Sequence, residues 1–315
     1  MSVARTRAGH GSPMQTLPCR TLQWCHVQKS ASLFDSAIGY LDNHGLGRPV
    51  AASIGVATAV TGDEIQFTNS SWTFSVSKLK QLLMVDQCVV INDFTALALS
   101  LPALKANDLE TLGGSTPAAN AAIGLVGPGT GLGVSGLMPN GHGDYVALSG
   151  EGGHVTLSPT DALESSVLEV LRSKFGHVSA ERVLSGSGLV NLYKALCIAL
   201  GVVAHDLTPQ EISELALANS DAQCSQTALL FSSFLGNLAG NLALTLGATG
   251  GIYVGGGVVP RLGTAFDRDV FRNRFEDKGR FRTYLNEIPC WLITAATPAL
   301  NGASRALDLS DYRAK

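Results

Sequence analysis

Six cysteines are scattered along the chain (Cys19, Cys25, Cys88, Cys197, Cys224 and Cys290), and no two of them form a C-x-x-C pair. Neither a zinc site nor a disulfide framework is signalled, and reduced thiols in a cytoplasmic protein are the simple reading. No uninterrupted apolar run reaches the roughly 18 residues that a membrane span needs. The opening MSVARTRAGHGSPMQ lacks the apolar stretch of a signal peptide. Net charge is only -3 and the pI about 6.2, so no broad basic surface is implied and nucleic acid is excluded as a natural partner. Heptads, long repeats and low-complexity tracts are missing. Acid is missing too at the start: Arg5, Arg7, Arg20 and Lys29 precede the first carboxylate, Asp35. An organelle transit peptide has such a charge pattern, but Gly9, Gly11 and Pro13 would break its amphipathic helix, and an irregular tail is expected instead.

What is present is core-forming material. The chain has 315 residues, 45% hydrophobic and 15% charged, enough for about two domains and far from a disordered composition. Thirty-five residues are glycine, well above the average of about 7%, and glycine marks tight turns and close backbone approach to ligands. Apolar spacing predicts helices over 33–46 and 75–84, the second with Ser75 as N-cap, and buried strands over 50–57 and 88–91. Strands are expected again over 121–126, 134–137, 145–148, 251–254 and 291–294. Helices are expected over 162–175, 179–185, 186–200, 209–218, 222–246 and near 301–309. In the long one, Gly236 and Gly240 lie one turn apart and would let another backbone pack closely. Strands alternating with helices read as α/β with largely parallel sheets.

Four segments could carry chemistry. Gly127-Pro-Gly-Thr-Gly-Leu-Gly133 exposes backbone N–H groups and the Thr130 hydroxyl, which suits phosphate oxygens. No Lys-Ser or Lys-Thr follows, so it is not a P-loop, and a strand follows where a dinucleotide fingerprint needs a helix. The plainer reading is a hairpin turn. Gly250-Gly-Ile-Tyr-Val-Gly-Gly-Gly257 is an apolar strand emptying into glycines, where a flat or anionic ligand could approach the backbone. Asn92-Asp93 follows the strand Cys88–Ile91, so Asp93 is either a helix N-cap or a carboxylate placed to take a proton from a substrate hydroxyl. Ser149-Gly-Glu-Gly-Gly-His154 sets Glu151 and His154 among glycines, suited to hydrogen-bonding a polyol, with no further ligand at a metal-site spacing. Glu181 is an acid in a helical first turn behind Ser179, or a second acceptor for sugar hydroxyls.

In order and spacing, VINDFTA, GPGTGLG, SGEGGHV, GHVSAERVLSGSGLVNLY, FEDKGRF and GGIYVGGGVVPR resemble the bacterial glucokinases of the actin-like, hexokinase-related superfamily, from about residue 50 to about 305. The resemblance implies an actin-like (ribonuclease H-like) fold of two α/β domains with an interdomain cleft: residues 1–103 plus 296–315 as the smaller domain and 104–295 as the larger. It implies Asp93 as catalytic base, and Asn69, Asn92, Asp93, Glu151, His154 and Glu181 as glucose-binding residues. Gly127, Gly129, Thr130, Gly131 and Gly133 would meet the ATP phosphates and Gly255 and Gly256 the adenosine, with Mg2+ accompanying ATP and no metal-binding residue assigned. A cytoplasmic enzyme of glucose metabolism and a homodimer are further family expectations.

One departure stands out. Similar proteins open with an acid-x-Gly-Gly-Thr turn between two strands, which touches the ATP phosphates, and none occurs in the first 100 residues. Ala59 also stands where similar proteins often carry proline. The expected consequence is a smaller-domain sheet short of strands, with an exposed edge. A misassigned start or a frameshift explains this most simply, and a relic that binds sugar without catalysis is the alternative. A sugar-responsive repressor of the ROK type would need a helix-turn-helix in residues 1–34 and a cysteine–histidine zinc cluster, and neither pattern is there.

Overall fold

The computed structural model describes residues 2–6, 20–21, 32–44, 49–67, 73–309 and 312. The chain divides into two compact units, Met1–Lys105 with Ala296–Lys315, and Ala106–Ala295.

The smaller unit is built on β1 (Ser2–Thr6), β2 (Arg20–Thr21), β3 (Pro49–Val56) and β6 (Gln87–Asn92), in the order β2-β1-β3-β6. β3 and β6 are parallel, while β1 runs antiparallel to β3 and β2 antiparallel to β1. The N-terminal region is thus not an irregular tail throughout: β1 and β2 extend the sheet beyond β3. Backbone N–H and C=O groups along an uncovered β3 would need partners, and β1 supplies them. A separate ribbon pairs β4 (Glu64–Gln66) with β5 (Thr73–Ser75). The helix α1 (Leu33–Asn43) starts where the Ser32 hydroxyl accepts the Asp35 N–H at 3.1 Å. In α2 (Val76–Leu83) the Ser75 hydroxyl accepts the Lys78 N–H at 3.0 Å, and Met84 ends the helix in the left-handed region. Leu79 and Leu83 of α2 and Leu33, Phe34, Ala37 and Ile38 of α1 close over Ala52, Ile54 and Val56 of β3. The helices α3 (Asp93–Ser100) and α11 (Pro298–Ala306) pack on each other, so tightly that any side chain at Gly302 would overlap the Ala96 carbonyl.

The larger unit carries β7 (Leu109–Gly113), β8 (Ile123–Pro128), β9 (Leu132–Pro139), β10 (Tyr145–Leu148), β11 (Ile252–Val254) and β12 (Cys290–Ile293), ordered β10-β9-β8-β11-β12-β7. Only β8–β11 and β11–β12 are parallel pairs; β7, β9 and β10 each run antiparallel to their neighbours. The largely parallel sheet expected from strand–helix alternation is therefore mixed. The connections from β8 to β9 and from β9 to β10 are too short for a crossover, which forces antiparallel pairing.

Around this sheet lie α4 (Ala162–Phe175), α5 (Gly186–Leu200), α6 (Pro209–Leu217), α7 (Ala222–Leu246), α8 (Val258–Leu262), α9 (Arg268–Glu276) and α10 (Arg282–Glu287). By length and mean hydropathy α7 could cross a membrane, yet 67% of its most apolar window is buried among the other helices of this unit, as in a core helix. Gly236 and Gly240 admit the backbone of α9: a Cβ on either would overlap the Phe271 or Phe275 carbonyl. The charged segment holding α9 gives little apolar signal, because only Phe271 and Phe275, one turn apart, and the acidic Glu276 are buried. The helix expected over 179–185 is only a 3₁₀ turn, Ala180–Arg182. Ser185 begins α5 instead, its hydroxyl accepting the Gly188 N–H at 2.9 Å.

Candidate active site

In the smaller unit the parallel pair β3–β6 brings Val56 opposite Asn92, so Asp93 stands at the carboxyl ends of two adjacent strands. Ligands of open α/β sheets gather there. Asp93 is the first residue of α3, and the cap before it is Asn92. The Asn92 Oδ1 accepts the N–H groups of Phe94 at 2.8 Å and Thr95 at 3.2 Å, while its Nδ2 donates to the Thr58 carbonyl at 3.3 Å. A carboxamide offers two lone pairs and two N–H bonds, so Asn92 keeps at most one N–H for a ligand. The N-cap reading of Asp93 is corrected: its neighbour caps, and the Asp93 carboxylate is left half-buried beyond it. Burial pushes that carboxyl above its ordinary value of 3.8, opposed by the backbone N–H groups of Phe94 and Asp93. Asn69 lies outside the described residues.

In the larger unit the glycine-rich segment from Gly127 to Gly133 is a hairpin. Gly127 pairs with Gly133 and Pro128 with Leu132 across β8 and β9, and Gly129, Thr130 and Gly131 make the turn, with Thr130 exposed at its tip. The plain hairpin reading is what the backbone does, and the turn is braced at both ends. Gly129 donates to the Gly131 carbonyl at 2.8 Å, and its own carbonyl accepts the Gly186 N–H at 2.8 Å. The second glycine loop packs against the first. Gly255 donates to the Val126 carbonyl at 2.8 Å, and Gly256, at φ +79, lies so close to Pro128 that a Cβ would overlap its carbonyl. Only glycine meets both demands there, the left-handed backbone and the close approach.

Three residues predicted for sugar binding lie on segments that adjoin the hairpin. Glu181 extends to the hairpin and its Oε2 accepts the Leu132 N–H at 2.9 Å. Glu151 precedes and His154 ends a 3₁₀ turn, Gly152–His154, closed by the His154 N–H on the Glu151 carbonyl at 3.0 Å. Gly152 of that turn packs on the Val134 side chain and Gly153 on the Leu132 carbonyl. The turns bearing His154 and Glu181 are joined directly, by the Ala180 N–H on the Val155 carbonyl at 2.9 Å and a bridge between Thr156 and Ser179. Two groups escaped the sequence reading. The Leu132 amide carries no side-chain signal at all. Arg261 brings its guanidinium to about 3.7 Å from where a Gly257 Cβ would stand, so a cation flanks the second glycine loop; its place one helical turn beyond the glycines was the available signal.

A glycine hairpin, a second glycine loop locked to it and adjoining segments that carry polar residues suit a phosphate-bearing ligand and a polyol. Comparison with known proteins agrees with this chemistry. The glucokinase family model matches residues 14–310. The chain is 49% identical over 299 residues to a glucokinase of Aromatoleum aromaticum, covering 95% of this chain and 88% of that one. It is 46% identical over 287 residues to a glucokinase of Chromobacterium violaceum, covering 91% and 82%. The crystal structure of a glucokinase from an Antarctic psychrotroph superposes with a TM-score of 0.81 at 35% identity, covering 89% of this chain and 86% of that one. The fold is that of the actin-like sugar kinases.

Proposed function

The chain belongs to the glucokinase family, and we propose that it transfers the γ-phosphoryl group of ATP to glucose, giving glucose 6-phosphate and ADP. Asp93 is the general base: its carboxylate accepts the proton of the glucose 6-hydroxyl as that oxygen bonds to the γ-phosphorus and the bond to the ADP oxygen breaks. Phosphoryl transfer needs mainly positioning and charge stabilisation, and one aligned carboxylate suffices as base. The observation that carries this reading is the division of labour at the β6–α3 junction. Asn92 takes the helix cap, which leaves the Asp93 carboxylate for chemistry.

Glucose hydroxyls are held by Asn69, the remaining N–H of Asn92, Glu151, His154 and Glu181. The hairpin Gly127, Gly129, Thr130, Gly131 and Gly133 receives the phosphates, and Gly255 and Gly256 line the adenosine. Mg2+ bound to the triphosphate would offset part of its charge, and no residue of this chain is assigned to hold it. A cytoplasmic location belongs to the same proposal. It is supported by the buried free thiols Cys88, Cys197, Cys224 and Cys290, of which burial pushes Cys88 up to about 11 and Cys224 and Cys290 to about 12.

The test is product analysis by phosphorus NMR. Glucose 6-phosphate and ADP are expected in equal amounts, and only when glucose and Mg-ATP are both present. Heat of glucose binding with no ADP formed would instead identify a sugar binder without catalysis.

A further inference from the structure

Leu132 occupies a position that the proposed reaction does not explain. Its N–H donates to Glu181 Oε2 at 2.9 Å, and its carbonyl is pressed against Gly153, between Glu151 and His154. The Leu132 side chain is 6% exposed, anchored in the core of the larger unit. One residue earlier, a Cβ on Gly131 would stand 2.5 Å from Glu181 Oε2 and 3.3 Å from its Cδ. One stretch of main chain therefore touches Glu181 on one side and the Glu151–His154 turn on the other, directly after the turn assigned to the phosphates.

We infer that Leu132 is a positioning residue whose main chain sets the glucose-binding side chains, so that the glycine hairpin governs sugar affinity as well as phosphate contact. This rests on the reading of Glu181, Glu151 and His154 as glucose ligands. A carboxylate that accepts a backbone N–H is fixed in direction, and the small displacement needed to accommodate a methyl group at Gly131 would be passed on to it in full.

The experiment is a double-mutant cycle on the full chain, read by calorimetry with glucose alone and by steady-state kinetics. Gly131→Ala is expected to weaken glucose binding about tenfold or more in the absence of nucleotide, since displacement of a positioning group by a fraction of an ångström is costly. Glu181→Asp withdraws the carboxylate by one methylene. In that background Gly131→Ala is expected to change glucose affinity little, so the two effects do not add. Unchanged glucose affinity with a raised KM for ATP in Gly131→Ala would overturn the inference. So would an equal loss from Gly131→Ala in both backgrounds. If Gly131→Ala alone does not fold, the double variant decides: it folds if the collision is with Glu181, and its failure to fold contradicts the proposal. Wild-type glucose affinity in Glu181→Asp alone is a different result, which removes Glu181 from the glucose ligands.

Discussion

The two units prepare their functional groups in opposite ways. In the smaller one the reactive group is a side chain, and the structure around Asp93 leaves it available: Asn92 caps α3, β3 and β6 deliver the residue to their carboxyl ends, and burial makes its carboxyl harder to ionise. In the larger one the decisive features are main-chain groups and missing side chains. Gly131 and Gly256 are places where a methyl group would meet Glu181 or Pro128. Side-chain chemistry tolerates small shifts of backbone; chemistry built from close backbone contacts does not. Substitutions in the two regions should therefore fail differently, the first losing rate and the second losing affinity and stability.

The largest effect is expected at Asp93. Asp93→Asn should lower kcat by about a hundredfold or more, with glucose affinity by calorimetry within a few-fold of wild type. Because the folded-state pKa of Asp93 is raised, its contribution to stability is present below the unfolded value and is lost as pH rises through the folded one. The ionised carboxylate is thus a burden near neutral pH, and Asp93→Asn should raise Tm at pH 7 but not at pH 3. A kcat loss accompanied by lower Tm at pH 7 would blur the contrast between the regions.

Next comes Gly256→Ala, which meets both a left-handed backbone and the Pro128 carbonyl. A loss of about 1–3 kcal/mol in urea unfolding is expected, together with a raised KM for ATP. Wild-type stability would mean that the two glycine loops are less tightly joined than their geometry indicates. Smaller still is Asn92→Ala, which removes the cap of α3. It should cost about 1 kcal/mol, read by denaturant titration, and should lower kcat less than Asp93→Asn does.

Much of the architecture is legible in the sequence. The helices over 162–175 and 222–246 and the strand over 145–148 have the bounds read from apolar spacing, and the Ser75 cap is where the residue type placed it. Elements without such a pattern leave little trace in the sequence. α9 buries little beyond Phe271 and Phe275 on an otherwise charged helix, and β7 (Leu109–Gly113) alternates too weakly to read as a strand. Strand direction is not legible, because alternation of strand and helix says nothing about the short β8–β9 and β9–β10 links. Within the candidate site, residue types could name Asp93, Glu181 and the glycines. They could not show that Asn92 would take the cap in place of Asp93, nor that the Leu132 amide would hold Glu181, since both depend on which group reaches a backbone N–H first.

The central claim is that Asp93 acts as an ionised base in surroundings that resist its ionisation, and the pH dependence of kcat/KM for glucose tests it most directly. A base must be deprotonated, so activity falls as pH drops through the Asp93 pKa, and burial moves that fall to higher pH than an exposed carboxylate would show. The account predicts an acid limb above the ordinary value of 3.8 in the wild type, absent from the residual activity of Asp93→Asn. The same limb in both proteins, or none in the wild type down to that value, would contradict it.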